Sequence, residues 1–209
     1  MKRPELGEQF ADFAQQDHTL RFGMWVFLAS EVLLFAALFA LYGSYRAMYG
    51  ADFQDAVKHN TLRYGTVNTY ILLTSSLTVA LSVWSVRGAR YRLAVTLLLS
   101  TILLGVAFLV VKTFEYLEHI KEGALPGAYY HLAQLPTYGA NRFYTLYWVM
   151  TGLHAVHVTG GIIVLAWLTW RAAHRFYTPE RHVTLEMGTL YWHLVDVIWI
   201  FLWPILYLA

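Results

Sequence analysis

Cysteine is missing from all 209 positions, which excludes disulfides, thiolate metal sites and thiol catalysis together. Charge is scarce as well: Asp, Glu, Lys and Arg make up 13% of the chain, against about 25% in soluble domains. The net formal charge of +2, from 15 basic and 13 acidic residues, forms no stripe for nucleic acid. Residues 1–20 hold Lys2, Arg3, Glu5, Glu8, Asp12 and Asp17 and no apolar h-region, so they are not a secretory signal. There is no Walker-type lysine loop, no G-x-S-x-G and no H-E-x-x-H. Internal repeats and low-complexity tracts are absent too. What remains is apolar: hydrophobic residues fill 58% of the chain, pointing to lipid as the solvent.

That apolar content falls into five stretches, about 22–43, 67–86, 93–118, 143–170 and 187–208. About twenty residues at roughly 1.5 Å each cover the hydrocarbon core. The fold predicted is therefore all-α: a bundle of five transmembrane helices over residues 21–209, preceded by a loose, polar cytoplasmic tail, 1–20. Ser75, Thr78, Ser82 and Ser85 share one face of the second span and predict a close helix–helix seam. Arg87, Arg90 and Arg92 crowd the turn between spans two and three, which form an antiparallel hairpin. The third span continues into Lys112, Glu115 and His119, which share a face and are expected to reach interfacial water. Nine of the 15 Lys and Arg residues lie in the tail and in the second and fourth connections. The positive-inside bias then puts the N-terminus in the cytoplasm and the C-terminus outside.

Five apolar spans make every ionisable group inside them a candidate site, because an intramembrane charge costs about 2.5–3.5 kcal/mol on insertion scales. Glu31 stands alone in the first span with no basic residue within two helical turns, so its partner must come from another helix or chain. It is the strongest candidate for a role beyond packing. His154 and His157 are an i,i+3 pair that could flank a haem or hold a metal, but three or four ligands are needed and the only other intramembrane histidine is His193. The bland reading is hydrogen-bonded structural histidines, tuned by Asp196 or Glu115. His193 and Asp196 are likewise an i,i+3 pair, either a proton relay or, the favoured reading, an inter-helix polar clamp. Residue chemistry alone leaves open a proton-coupled carrier, a haem-binding anchor or a partner subunit.

Four runs, in order along the chain, narrow this. Phe-Gly-Met-Trp-Val-Phe-Leu-Ala-Ser-Glu-Val-Leu-Leu-Phe opens span one at 22–35, Thr-Phe-Glu-Tyr occupies 113–116, Thr-Gly-Leu-His-Ala-Val-His-Val 151–158, and Tyr-Trp-His-Leu-Val-Asp-Val-Ile-Trp 191–199. Together they resemble subunit III of the haem-copper oxidases, the family of cytochrome c and quinol oxidases. The resemblance covers nearly everything after residue 20.

The resemblance implies a non-catalytic chain with no redox metal or cofactor of its own, in a bacterial inner membrane. Haems and copper are then expected in partner subunits: the catalytic subunit I, subunit II and, as an option, small subunits. The chain would stabilise subunit I and sustain proton uptake. The family glutamate carries over to Glu31, the Glu-Tyr acid to Glu115, the paired histidines to His154 and His157, and the closing pair to His193 and Asp196. The family's long form has seven spans and a lipid-filled cleft between the first two and the rest. This chain corresponds from the third helix onward, with phospholipid a possible companion against the Glu31 face. The motifs look most like bacterial cytochrome c oxidases, with quinol oxidases and nitric oxide reductases as the alternatives. A stand-alone proton-coupled transporter using Glu31 and Asp196 is the rival from another class. The odd number of spans and the lack of a Gly/Pro-interrupted pair argue against it.

Overall fold

A computed structural model describes residues 9–208. Six α-helices carry those residues: α1 Phe13–Met48, α2 Gly50–His59, α3 Leu62–Arg87, α4 Tyr91–Glu122, α5 Tyr138–Ala173 and α6 Val183–Tyr207. All except α2 are long and apolar enough to cross a membrane, so the five-span bundle expected from hydropathy is the observed architecture. Every span is longer than its apolar run, and side-chain caps fix the starts of α1 and α5. Asp12 starts α1 by accepting from Gln15 N at 2.7 Å. The segment expected to be loose up to Leu20 is therefore helical from Phe13, while residues 1–8 lie outside the described residues. Gly123, at φ 83°, closes α4 in the left-handed conformation that glycine tolerates best.

The polar connection after span one hides α2, which turns Phe53, Ala56 and Val57 inward against α5. Its Asp52 accepts from Gly139 N at 3.1 Å, so one helix supplies an acid to the positive N-terminus of another. Thr137, the N-cap of α5, accepts from Ala140 N at 3.3 Å.

The interior is built on α3 lying between α4 and α6. The hydroxyl stripe is the seam expected: Ser75, Ser82 and Ser85 are wholly buried, and the Thr78 and Thr101 hydroxyls pair across it at 2.8 Å. Trp192 of α6 donates to Ser75 Oγ at 3.0 Å. Its ring is wedged against Gly105 of α4 and Gly161 of α5, where an added Cβ would lie 2.7 Å from the indole in each case. Pro204 sits inside α6, and two of the helix's last carbonyls are taken by side chains: Tyr42 donates to Ile205 O at 2.8 Å and Asn60 to Leu206 O at 3.0 Å.

Helix α1 is attached differently. It buries only Leu28, Phe35 and Tyr42, one residue in every seven, and presents Phe22, Trp25, Leu33 and their neighbours outward. A single narrow stripe holds it to α5 and α6.

Candidate functional site

Glu31 finds the partner from another helix that its isolation demanded. Its Oε2 lies 2.7 Å from His157 Nε2, between α1 and α5. His157 Nδ1 is 2.8 Å from Leu153 O, and a carbonyl can only accept, so Nδ1 carries a proton. A single proton then lies between Nε2 and Oε2, giving either an imidazolium–carboxylate pair or a neutral imidazole and a carboxylic acid. Phe35 packs edge-on to the imidazole at 5.3 Å, and both side chains keep a small exposed fraction, 13% for His157 and 16% for Glu31. On the side of Phe27, one turn away, runs an apolar groove of about 390 Å³ between α1, α5 and α6, lined by residues such as Leu20, Trp167 and Met187. Leu20 and Thr184 also line the adjoining polar pocket, which carries Arg171, Arg181 and His182.

The expectation that Lys112, Glu115 and His119 reach interfacial water is overturned. Lys112 is 2% exposed, Glu115 1% and His119 3%, because α4 continues to Glu122 and α5 and α6 cover this face. The cost of burial is met by a closed set of hydrogen bonds. Lys112 Nζ donates to Glu115 Oε2 at 3.0 Å and to the hydroxyls of Tyr147 and Tyr207 at 2.9 Å each. Both tyrosines in turn donate to Glu115 Oε1, at 2.7 and 2.5 Å. The three protons of the ammonium each have an acceptor, and the rings of Tyr116, Tyr147, Trp199 and Tyr207 surround the charge at 4.6–5.6 Å. This cluster ties α4 to α5 and α6.

The two remaining pairs do not form as pairs. His154 and His157 part company: His157 turns to α1, while His154 sits between Phe108 and Trp199 with neither ring nitrogen in a protein hydrogen bond. Tuning of His154 by a hydrogen bond from Asp196 or Glu115 is therefore not found. His193 bonds to Ser76 Oγ at 2.8 Å, bridging α6 to α3, rather than to Asp196. Asp196, 3% exposed, has Ser76 as its polar neighbour, and neither of its oxygens makes a protein hydrogen bond of normal geometry. Among the described residues, no set of three or more His, Asp or Glu side chains is arranged to hold a metal.

A family model described as cytochrome c oxidase subunit III matches residues 9–209. The chain belongs to this family. Quinol oxidase subunit 3 of Bacillus spizizenii is 29% identical to it over 100% of this chain and 97% of that protein. Cytochrome c oxidase subunit 3 of Corynebacterium diphtheriae is 33% identical over 88% of this chain and 85% of its own length. The protein of the same name from Thermostichus vulcanus is 34% identical over 89% and 85%. As a subunit III of the haem-copper oxidases, whether of the cytochrome c or the quinol type, this chain is a multi-pass bacterial membrane protein that works in a complex with other oxidase subunits.

Sequence reasoning about this subunit III missed Tyr147 and Tyr207, which complete the buried cluster, because a tyrosine in a span reads as an interface residue. It also missed Glu186. That carboxylate joins Arg21 of α1 at 3.0 Å, Arg87 of α3 at 2.6 Å and His182 at 3.0 Å. The only sequence signal was the i,i+4 spacing of His182 and Glu186 at a helix start.

Proposed function

We propose that this chain is the non-catalytic third subunit of a proton-pumping terminal oxidase that passes electrons from cytochrome c to oxygen. The haems and copper reside in subunits I and II. Its N-terminus faces the cytoplasm, it stabilises subunit I, and Glu31 supports that subunit's proton uptake. The observation that carries the reading is the Glu31–His157 contact at 2.7 Å, a proton-sharing pair in a helix otherwise turned to lipid. Glu115, His157 and His193 hold helices together through hydrogen bonds, His154 and Asp196 are buried between the helices, and none of the five does redox chemistry.

The groove beside α1 fits a phospholipid. Its apolar length suits an acyl chain, and Arg171, Arg181 and His182 at its polar end suit a phosphate. Such a lipid would fill the side on which α1 is held by one stripe alone.

Replacing Glu31 with Ala in the intact oxidase is the test. The variant should assemble with its haem-bearing partner yet lose activity sooner during sustained turnover, or take up protons more slowly. Wild-type endurance and uptake together would reduce Glu31 to a packing element. A second reading, service in a quinol oxidase, is favoured by the full-length similarity to the Bacillus protein. Oxygen consumption by the purified complex with reduced cytochrome c, and separately with a quinol, separates the two.

A further inference from the structure

His119 occupies an unusual position between two carboxylates. Its Nε2 is 3.9 Å from Glu115 Oε1, and its Nδ1 is 3.8 Å from Glu122 Oε2. Both ring nitrogens are buried and neither makes a hydrogen bond. The two acids differ sharply in environment: the Glu115 side chain is 1% exposed, that of Glu122 45%. Glu122 also lies 3.3 Å from Nε2 of His59, on α2. Titratable groups thus run without a break longer than 3.9 Å from the surface at the α2 end to the buried Lys112–Glu115 pair.

We propose that His119 is a proton relay, connecting the Glu115 carboxylate with the solution at the α2 end of the bundle through Glu122. A proton taken from solution by Glu122 passes to His119 Nδ1. The resulting imidazolium releases the proton on Nε2 to Glu115 Oε1, where the Tyr147 hydroxyl turns away to free a lone pair, leaving a neutral ring of the other tautomer. One proton has then moved from solution to Glu115, and Lys112 keeps its charge. Each gap is about 1 Å longer than a hydrogen bond, so the ring swings by that amount or a water completes the contact.

The surroundings favour one route. Helix α5 presents Tyr144 and Tyr147 edge-on to the imidazole at 5.6 and 5.1 Å. Tyr207 of α6 and Tyr147 already donate to Glu115, and Tyr130 of the α4–α5 loop packs on Tyr144. On the α3 side, Tyr64 is bonded to Glu118 at 2.5 Å. The charges acting on His119 itself are those of Glu115, Lys112, Glu122 and His59. Tyrosine hydroxyls give up protons reluctantly near neutral pH, which leaves the imidazole as the link able to accept and release one.

The experiment is a rapid pH jump on the intact detergent-solubilised oxidase, following the infrared carboxyl band of Glu115, assigned by its loss in Glu115→Gln. Wild-type complex should show a band that follows bulk pH. His119→Phe keeps the ring contacts with Tyr144 and Tyr147 and should slow the response by about 10²-fold or more. Imidazole added to His119→Ala should restore part of the rate, which a purely structural histidine would not permit. Should His119→Phe fail to assemble, Glu122→Gln alters only the half-exposed end of the path and should also slow the response. A wild-type rate in an assembled His119→Phe or Glu122→Gln complex overturns the proposal. So does a Glu115 band that ignores pH. None of these readouts depends on Glu31 or on the electron donor, so a failure here is separable from a failure of the oxidase reading.

Discussion

Lys112 and Glu115 allow a quantitative test of how a bundle tolerates an ion pair that is 2% and 1% exposed. Lys112→Met removes three donated hydrogen bonds, to Glu115, Tyr147 and Tyr207, and leaves the Glu115 carboxylate with only the two tyrosines as donors. Breaking a buried pair from one side costs about 3–5 kcal/mol, because a charge is left without its counterion. Glu115→Leu strands the ammonium instead, but four aromatic rings at 4.6–5.6 Å remain around it. Each ring contact is worth about 0.5–2 kcal/mol, so this loss should fall at the low end of the same range. In the double variant no charge is stranded, and the two tyrosine hydroxyls are left as neighbours able to bond to each other. Its loss should stay below about 2 kcal/mol, since apolar replacements of buried pairs are commonly neutral or better. The double variant should thus be more stable than either single one, with a coupling of about 3 kcal/mol or more. The assay is denaturant unfolding of the chain in mild micelles, or heat release of the chain from the purified oxidase. A double variant whose loss equals the sum of the two single losses would refute the reasoning.

Two further substitutions probe other parts of the fold. Gly105→Val places a side chain where Trp192 stands, 2.7 Å from a Cβ, and should cost about 1–3 kcal/mol through overpacking, read as a lower melting midpoint and a shifted tryptophan emission. An unchanged midpoint would mean that the indole has room to move. Asp196→Leu removes a buried carboxyl that makes no hydrogen bond of normal geometry, so it should be neutral or stabilising by about 1 kcal/mol in the isolated chain. A loss above about 2 kcal/mol would show instead that Ser76 or a bound water holds the carboxyl.

The number and order of the spans were legible because lipid demands about twenty apolar residues per crossing, a constraint written locally in the chain. Helix α2 was not legible. It is short and half polar, so its three buried side chains are diluted by Asp52, Asp55 and Lys58. The role of the intramembrane groups was legible only in kind. That Glu31 needs a distant partner follows from its isolation, but His157 lies 126 residues away and no local pattern names it. Shared helix faces do not name partners. His154 and His157, and His193 and Asp196, lie about 60° apart around their helices, yet in the packed bundle each member meets different neighbours. Lys112 was expected in water because charge ordinarily seeks it; the acceptors that let it stay buried sit on α5 and α6, beyond the reach of any local reading.

The loose attachment of α1 has a consequence for how the molecule is made. Among its polar fastenings are Arg21 to Glu186, Glu31 to His157 and Tyr42 to the Ile205 carbonyl, and these partners lie 165, 126 and 163 residues further along the chain. Synthesis runs from the N-terminus, so α1 is delivered to the bilayer when none of these three partners exists. It waits there with Glu31 still lacking His157 while α3 and α4 close on each other, and it can dock only after α5 and α6 have been threaded. The span that enters ahead of α3–α6 is thus the last of the five to find its place.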